Sequence, residues 1–250
     1  MLELSRLLEI YRTMRLMRRC DGCANGGVRY DGEEAVAAGT LLALGAHDHV
    51  VSSYRPRGHR LARQDRADLD AQFIDGDMAR AVELARALDR AGDRDRIVCC
   101  IFGDALLAAG VFHESMNIAS NEKLPIVFVC ENNFYGMGTL FDGAICQEDL
   151  YRFAGGYKMP SVRVDGMEVL EVYAAVRDAA AYVRAGEGPS IVDAVTYRPI
   201  GEYRTREEEI IMAERDPIRT FRGRVIDAYP EADAALAAID AELMATRRPD

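Results

Sequence analysis

No apolar run among the 250 residues comes near the roughly 20 that a helix needs to cross a bilayer. Positive charge is scarce too, with 31 lysines and arginines against 41 aspartates and glutamates, a formal net charge of -10. Nucleic acids and anionic membranes recruit basic faces, so neither is expected as a partner. There is no repeat and no low-complexity linker. No GxGxxG follows a strand-like run and no P-loop is present, which argues against a generic nucleotide-binding protein. The six cysteines make no disulfide framework in a chain of this size. Cys20 and Cys23 form the one CxxC; without a second pair a structural zinc lacks its other ligands. Histidine ends at His113. The opening, Met1 to Ile10, reads as an acidic amphipathic helix rather than a signal or transit peptide, so a cytoplasmic protein is expected.

What is present is an alternation of helical and strand-like segments. At 49% hydrophobic and 29% charged, the chain can bury one sizeable core, and a single domain over residues 1–250 is expected. Leu2 to Cys23 has a helical apolar side of Leu4, Leu7, Leu8, Tyr11, Met14 and Leu16, and Glu33 to Leu44 predicts a second helix. Val50 to Ser52 predicts a short strand and Asp77 to Arg90 a helix. Arg96 to Phe102 and Pro125 to Cys130 are apolar runs rich in Val, Ile and Phe, in which Cys99, Cys100 and Cys130 count as small hydrophobes. Strands at Ser161 to Val164 and Ser190 to Ala194 flank a helix from Val169 to Arg184, and a charged helical segment begins at about residue 207. The pattern predicts a doubly wound, mostly parallel α/β fold.

The chemistry concentrates between Gly103 and Asn133. One strand stops at Gly103-Asp104 and the next at Glu131-Asn132-Asn133, with Val111, Phe112, Met116 and Ala119 marking a crossover helix between them. Such a crossover makes the strands parallel and brings both carboxyl ends to one sheet edge, where ligands of open α/β sheets bind. A hard divalent cation takes a carboxylate, an amide oxygen and a backbone carbonyl, and Asp104, Asn133 and the backbone of Tyr135 supply one of each. Such a cation bridges a diphosphate to the protein. Taken singly, Gly-Asp and Asn-Asn are ordinary turn sequences.

The segment Phe112-His113-Glu114-Ser115-Met116-Asn117, continued by Leu124 through Asn133 and by Tyr135-Gly136-Met137-Gly138-Thr139, resembles the thiamine-diphosphate motif of the α subunit of 2-oxo acid dehydrogenase E1 components, most nearly the pyruvate dehydrogenase branch. Val164-Asp165-Gly166-Met167 with Val169-Leu170, Arg184 to Ser190 and Thr196-Tyr197-Arg198 extend the likeness downstream. Upstream it includes Tyr11-Arg12-Thr13-Met14, Gly32-Glu33-Glu34-Ala35-Val36 and Ser53-Tyr54-Arg55. The resemblance implies a thiamine-diphosphate-binding fold, with thiamine diphosphate and Mg2+ as cofactors. The cofactor would be held by Tyr54, Arg55, Gly103, Asp104, Ala105, Asn133 and Tyr135, and the metal by Asp104, Asn133 and Tyr135. His59 is the candidate catalytic residue. The implied reaction is oxidative decarboxylation of pyruvate, a branched-chain 2-oxo acid or acetoin being alternatives. Its acyl product would pass to a lipoyl group on the E2 acyltransferase. An E1 β subunit, in an α2β2 heterotetramer, would supply the glutamate that activates the cofactor.

The chain also departs from that pattern. Gly103-Asp104-Ala105 stands where the family has Gly-Asp-Gly, and Arg57 stands where a histidine follows the Tyr-Arg pair. A glycine-rich passage is missing between Leu61 and Asp75-Gly76, which reads as a polar stretch leading straight into a helix. A loop carrying Gly-His-Ser is missing after Thr196 to Gly201, and shorter contractions fall at Ala24 to Gly27 and after Asp240. Loop deletion costs little compared with loss of a strand, so the fold can survive while the site does not. A catalytically silent scaffold or assembly subunit is therefore the second functional reading.

Overall fold

Successive residues of a strand face opposite ways, so a sheet covered on both sides needs strands that are apolar throughout. The strand sequences VCCIFG, IVFVCEN and SIVDAV are largely apolar, with Asp193 and the strand-end residues Glu131 and Asn132 as buried polar exceptions, and they lie in the middle of the sheet, almost wholly buried. A computed structural model describes residues 2–20, 30–53, 58–60, 62, 73–136, 139–140, 149–197, 206, 210 and 213–245. Six strands form the main sheet: β1 His49–Ser52, β2 Phe73–Asp75, β3 Val98–Gly103, β4 Ile126–Asn132, β7 Ser161–Asp165 and β8 Ser190–Val195. Their order is β2-β1-β3-β4-β8-β7, and every neighbouring pair is parallel. A separate two-stranded hairpin joins β5 Tyr135–Gly136 to β6 Thr139–Leu140.

Helices cover both faces, as a doubly wound fold requires. Cys100, Phe102, Phe128 and Cys130 point to one face. There they meet α3 Met78–Arg90, α4 Gly110–Asn121 and α5 Leu150–Gly156. Cys99, Ile101, Val127 and Val129 point to the other, against α2 Glu34–Ala43 and α6 Val169–Arg184. The buried positions of α3, Met78, Ala81, Val82, Ala85 and Leu88, keep the spacing of one helical face, and Asp77 caps its start by accepting the Arg80 N–H at 3.0 Å. In α4 the fully buried Phe112 alone contributes about 1.5–3 kcal/mol by leaving water. Cys99, Cys100 and Cys130 are buried, and burial holds the Cys100 and Cys130 thiols well above the usual thiol range, so they pack as apolar groups.

Beyond α2 lies a third layer of α1 Leu4–Cys20, α7 Pro217–Ala228 and α8 Ala232–Ala245. The apolar face of α1 is Leu7, Ile10, Tyr11, Met14 and Met17, with Leu16 only half-buried. Asp240 of α8 ties this layer to α1, accepting from Tyr11 Oη at 2.9 Å and Arg15 Nε at 2.6 Å. None of the described helices is long and apolar enough to cross a membrane.

Several elements differ from expectation. Residues 73–75 pair with β1 as strand β2, where the sequence reads as polar chain running into a helix. Three residues show too little alternation to register, and the sheet edge supplies their partners. The short α5 and the hairpin were likewise unmarked. Among the described residues the carboxyl-terminal segment includes two helices, α7 and α8, which Tyr229 and Pro230 separate, and α7 starts at an Asp216 cap that accepts the Arg219 N–H at 2.9 Å. The Cys20-Cys23 motif and the contraction at residues 24–27 lie outside the described residues or side chains.

Candidate functional site

Because all six strands run the same way, their carboxyl ends share one edge, and the polar residues gather there. Gly103 of β3 pairs in register with Glu131 of β4. Asp104 therefore lies one residue beyond β3 and Asn133 one residue beyond β4, on strands about 4.8 Å apart. Asp104 is buried, 2% exposed, and opens a 3-10 turn from Asp104 to Ala108, its Oδ1 accepting the Ala105 N–H at 2.9 Å. Ala105 is exposed within that turn and its φ is negative, so its Cβ meets no backbone obstacle there.

Asn133 is half-buried and its amide Nδ2 donates to Glu33 Oε1 at 2.9 Å. Glu33 is fully buried at the start of α2, a helix from the other face of the sheet whose N-terminus reaches this edge. Phe134 then takes a left-handed φ of 57°, which costs a residue with a Cβ about 1–2 kcal/mol. Tyr135 follows it and pairs opposite Leu140 in the hairpin. Asn132 faces the other way, donating from Nδ2 to the buried Asp193 of β8 at 3.0 Å.

A second polar group lies at the same edge. His59, 0% exposed, has Nδ1 2.9 Å from Ser52 Oγ at the end of β1. Its Nε2 lies 2.8 Å from Tyr30 Oη and 3.1 Å from Glu131 Oε1. Tyr30 Oη also donates to Glu131. Both ring nitrogens thus face protein groups, and the ring stands edge-on to Tyr30. Tyr54, Arg55 and the side chain of Tyr135 lie outside the described residues, as do Met137 and Gly138.

Next to Glu33, the Glu34 carboxylate is 2.6 and 2.9 Å from the Arg18 guanidinium and accepts the Gly32 N–H at 2.9 Å. Burial pushes the Glu34 carboxyl up to about 7, with Arg18 and its hydrogen bonds pulling the other way. Arg18 also reaches Asp216, so one side chain links α1, α2 and the cap of α7. The sequence points to Asp104 and Asn133, and the structure brings them to one place. It also adds Glu33, Glu131, Tyr30 and Ser52, to which the sequence assigned no role. The one available signal was the three acids of Asp31-Gly32-Glu33-Glu34, at the start of an otherwise apolar helix with no lysine to balance them.

No three His, Cys, Asp or Glu side chains among the described residues form a metal cluster. A cation at this edge would rest on a mixed oxygen set, one carboxylate with an amide and a backbone carbonyl, which suits Mg2+ rather than a transition metal. The donor chemistry present fits a metal-bridged diphosphate. A groove lined by Asp48, Asp93, Asp95, Arg96 and Arg184 lies at the opposite, amino edge of the sheet, where Arg96 pairs with Asp93 and Arg184 with Asp48. Both of those arginines are already paired with aspartates, so the carboxyl edge is the better candidate.

A doubly wound α/β protein with an acid and an amide at the carboxyl ends of adjacent parallel strands is thereby defined. The chain belongs to the dehydrogenase E1 component family, whose sequence pattern matches residues 69–246. It is 32% identical over 284 residues to the pyruvate dehydrogenase E1 component subunit alpha of Rhizobium meliloti (strain 1021), covering 94% of this chain and 82% of that one. It is 32% identical over 237 residues to the alpha subunit of acetoin:2,6-dichlorophenolindophenol oxidoreductase of Bacillus subtilis (strain 168), covering 79% and 71%. The somatic, mitochondrial pyruvate dehydrogenase E1 subunit alpha of Homo sapiens is 30% identical over 283 residues, covering 94% and 72%. The span of 284 residues exceeds this chain's own 250, so the Rhizobium relative carries segments with no counterpart here. The expected α/β fold of the family is the fold observed.

Proposed function

We propose that this chain is the α subunit of a thiamine-diphosphate-dependent 2-oxo acid dehydrogenase, with pyruvate as substrate, a β subunit as partner in an α2β2 assembly, and a lipoyl-bearing E2 as acceptor. The observation that carries the reading is the placement of Asp104 and Asn133 at one sheet edge, in a chain of this family. Asp104 would hold Mg2+ through its carboxylate, Asn133 through its amide oxygen and Tyr135 through its backbone carbonyl, while Gly103 and Ala105 line the approach. Tyr54 and Arg55 would contact the diphosphate, a guanidinium offering paired donors to phosphate. When bound, thiamine diphosphate supplies the electron sink for loss of CO2. The chain's own part is to bind and orient that group. His59, with both nitrogens engaged, would serve by holding Ser52, Tyr30 and Glu131 together rather than by touching substrate.

Calorimetric titration with thiamine diphosphate in the presence of Mg2+ tests the assignment. Asp104→Ala should abolish Mg2+-dependent binding, and an unchanged affinity would overturn the metal assignment. Relatives named for pyruvate and for acetoin match at the same 32% identity, so acetoin is the leading alternative substrate. The second reading, a silent scaffold, is favoured by the segments that the Rhizobium relative has and this chain lacks.

A further inference from the structure

Asn133 can serve a cation only through its amide oxygen, and the two ends of an amide have nearly the same shape. Some neighbour must decide which end faces the site. Glu33 has the chemistry to decide it. Its Oε1 lies 2.9 Å from Asn133 Nδ2, and a carboxylate offers only acceptor oxygens, so it takes the NH2 group and not the oxygen. The oxygen, bonded to the same carbon, is thereby turned away from Glu33.

Glu33 is itself held firmly. It is fully buried at the cap position of α2, its N–H donates to the Tyr30 carbonyl at 3.1 Å, and its own carbonyl accepts from Val36 and Ala37 at 3.1 and 3.4 Å. The next residue, Glu34, is gripped by Arg18 and by the Gly32 N–H. On the other side, Asn133 follows directly on β4 and precedes the left-handed Phe134, so its backbone is fixed as well. We propose that Glu33 is a positioning residue, which fixes the Asn133 amide with its oxygen toward the Mg2+ of bound thiamine diphosphate. The proposal rests on the functional reading above and adds to it a residue outside the metal's own ligands, contributed by a helix rather than by either strand.

The test is an exchange of the two groups in the full chain purified with its β partner, read by calorimetric titration with thiamine diphosphate and Mg2+. Glu33→Gln keeps the shape but can donate as well as accept, so the amide at 133 loses its single orientation, and affinity should fall about 10-fold or more. Asn133→Asp sets two carboxylates against each other and should also weaken binding. The double variant Glu33→Gln/Asn133→Asp reverses the hydrogen bond, leaves one carboxylate oxygen for the cation and keeps the net charge. It should bind within about three-fold of the unsubstituted protein. A residue that merely starts α2 would not be rescued from position 133, so a double variant no tighter than the weaker single one overturns the proposal. So does unchanged affinity in Glu33→Gln. Asn133→Ala gives an independent check: with the amide gone, Glu33→Gln should cost less than about two-fold further, and a full additional loss overturns the proposal. If the unsubstituted complex does not bind thiamine diphosphate at all, the functional reading falls and takes this inference with it. If it binds and Glu33→Gln is silent, only the inference falls.

Discussion

Glu33 and Glu34 are neighbours in sequence, both fully buried, and serve different ends because the start of a helix sends consecutive side chains in different directions. Glu33 meets an amide, Glu34 a guanidinium. The Glu34 carboxyl, ordinarily near 4.5, is raised to about 7, so the folded chain holds this proton more tightly than the unfolded chain. Its stabilising contribution is full below about pH 4.5 and is lost as pH rises through about 7. A tenfold change in proton affinity is worth about 1.4 kcal/mol, so the whole effect is on the order of 3 kcal/mol. Urea unfolding of the parent chain and of Glu34→Gln between pH 4.5 and 8 checks this. The stability of the parent relative to the variant should decline with rising pH, and a constant difference would show that the carboxyl titrates alike in both states. Neither role is legible from a pair of glutamates before an alanine-rich run.

Helix α2 reaches the site edge because it lies close against α6, and Gly39 permits that approach. A Cβ at Gly39 would stand 2.8 Å from Val172 Cβ and 2.9 Å from the Val169 carbonyl oxygen. Gly39→Ala should therefore push the helices apart. The overpacking costs about 1–3 kcal/mol, against roughly 1 kcal/mol gained from alanine's helix propensity. The expected outcome is a lower unfolding midpoint. Gly223 in α7 is the contrasting case, since a Cβ there meets nothing within 4 Å. Gly223→Ala should raise stability by about 0.5–1 kcal/mol, and thermal unfolding of the two variants should shift in opposite directions. The long helices and central strands announced themselves through period and length. β2 and α5 did not, because three or seven residues carry too little pattern and depend on the sheet they join.

Across the whole molecule, the carboxyl ends of six parallel strands converge on one edge while the segments that a longer relative carries are lacking. The two functional readings divide on the consequence. Purified with its β partner and supplied with thiamine diphosphate, Mg2+ and pyruvate, a working α subunit gives measurable CO2 release that Asp104→Ala removes. A silent scaffold would assemble with the same partner and release none from any 2-oxo acid. The chain without its partner should release none on either reading.

The sequence by itself determined the α/β class, the long helices and apolar central strands, and the acid and amide that follow β3 and β4. Those features depend on local periodicity and on residues close in the chain. Only the tertiary structure decided that Glu33, one hundred residues before Asn133, lies against its amide. It alone likewise gathered Ser52, Tyr30 and His59 around Glu131. Contacts of that kind leave no local pattern, since they arise where the start of a helix and the ends of strands far apart in sequence meet at the same sheet edge.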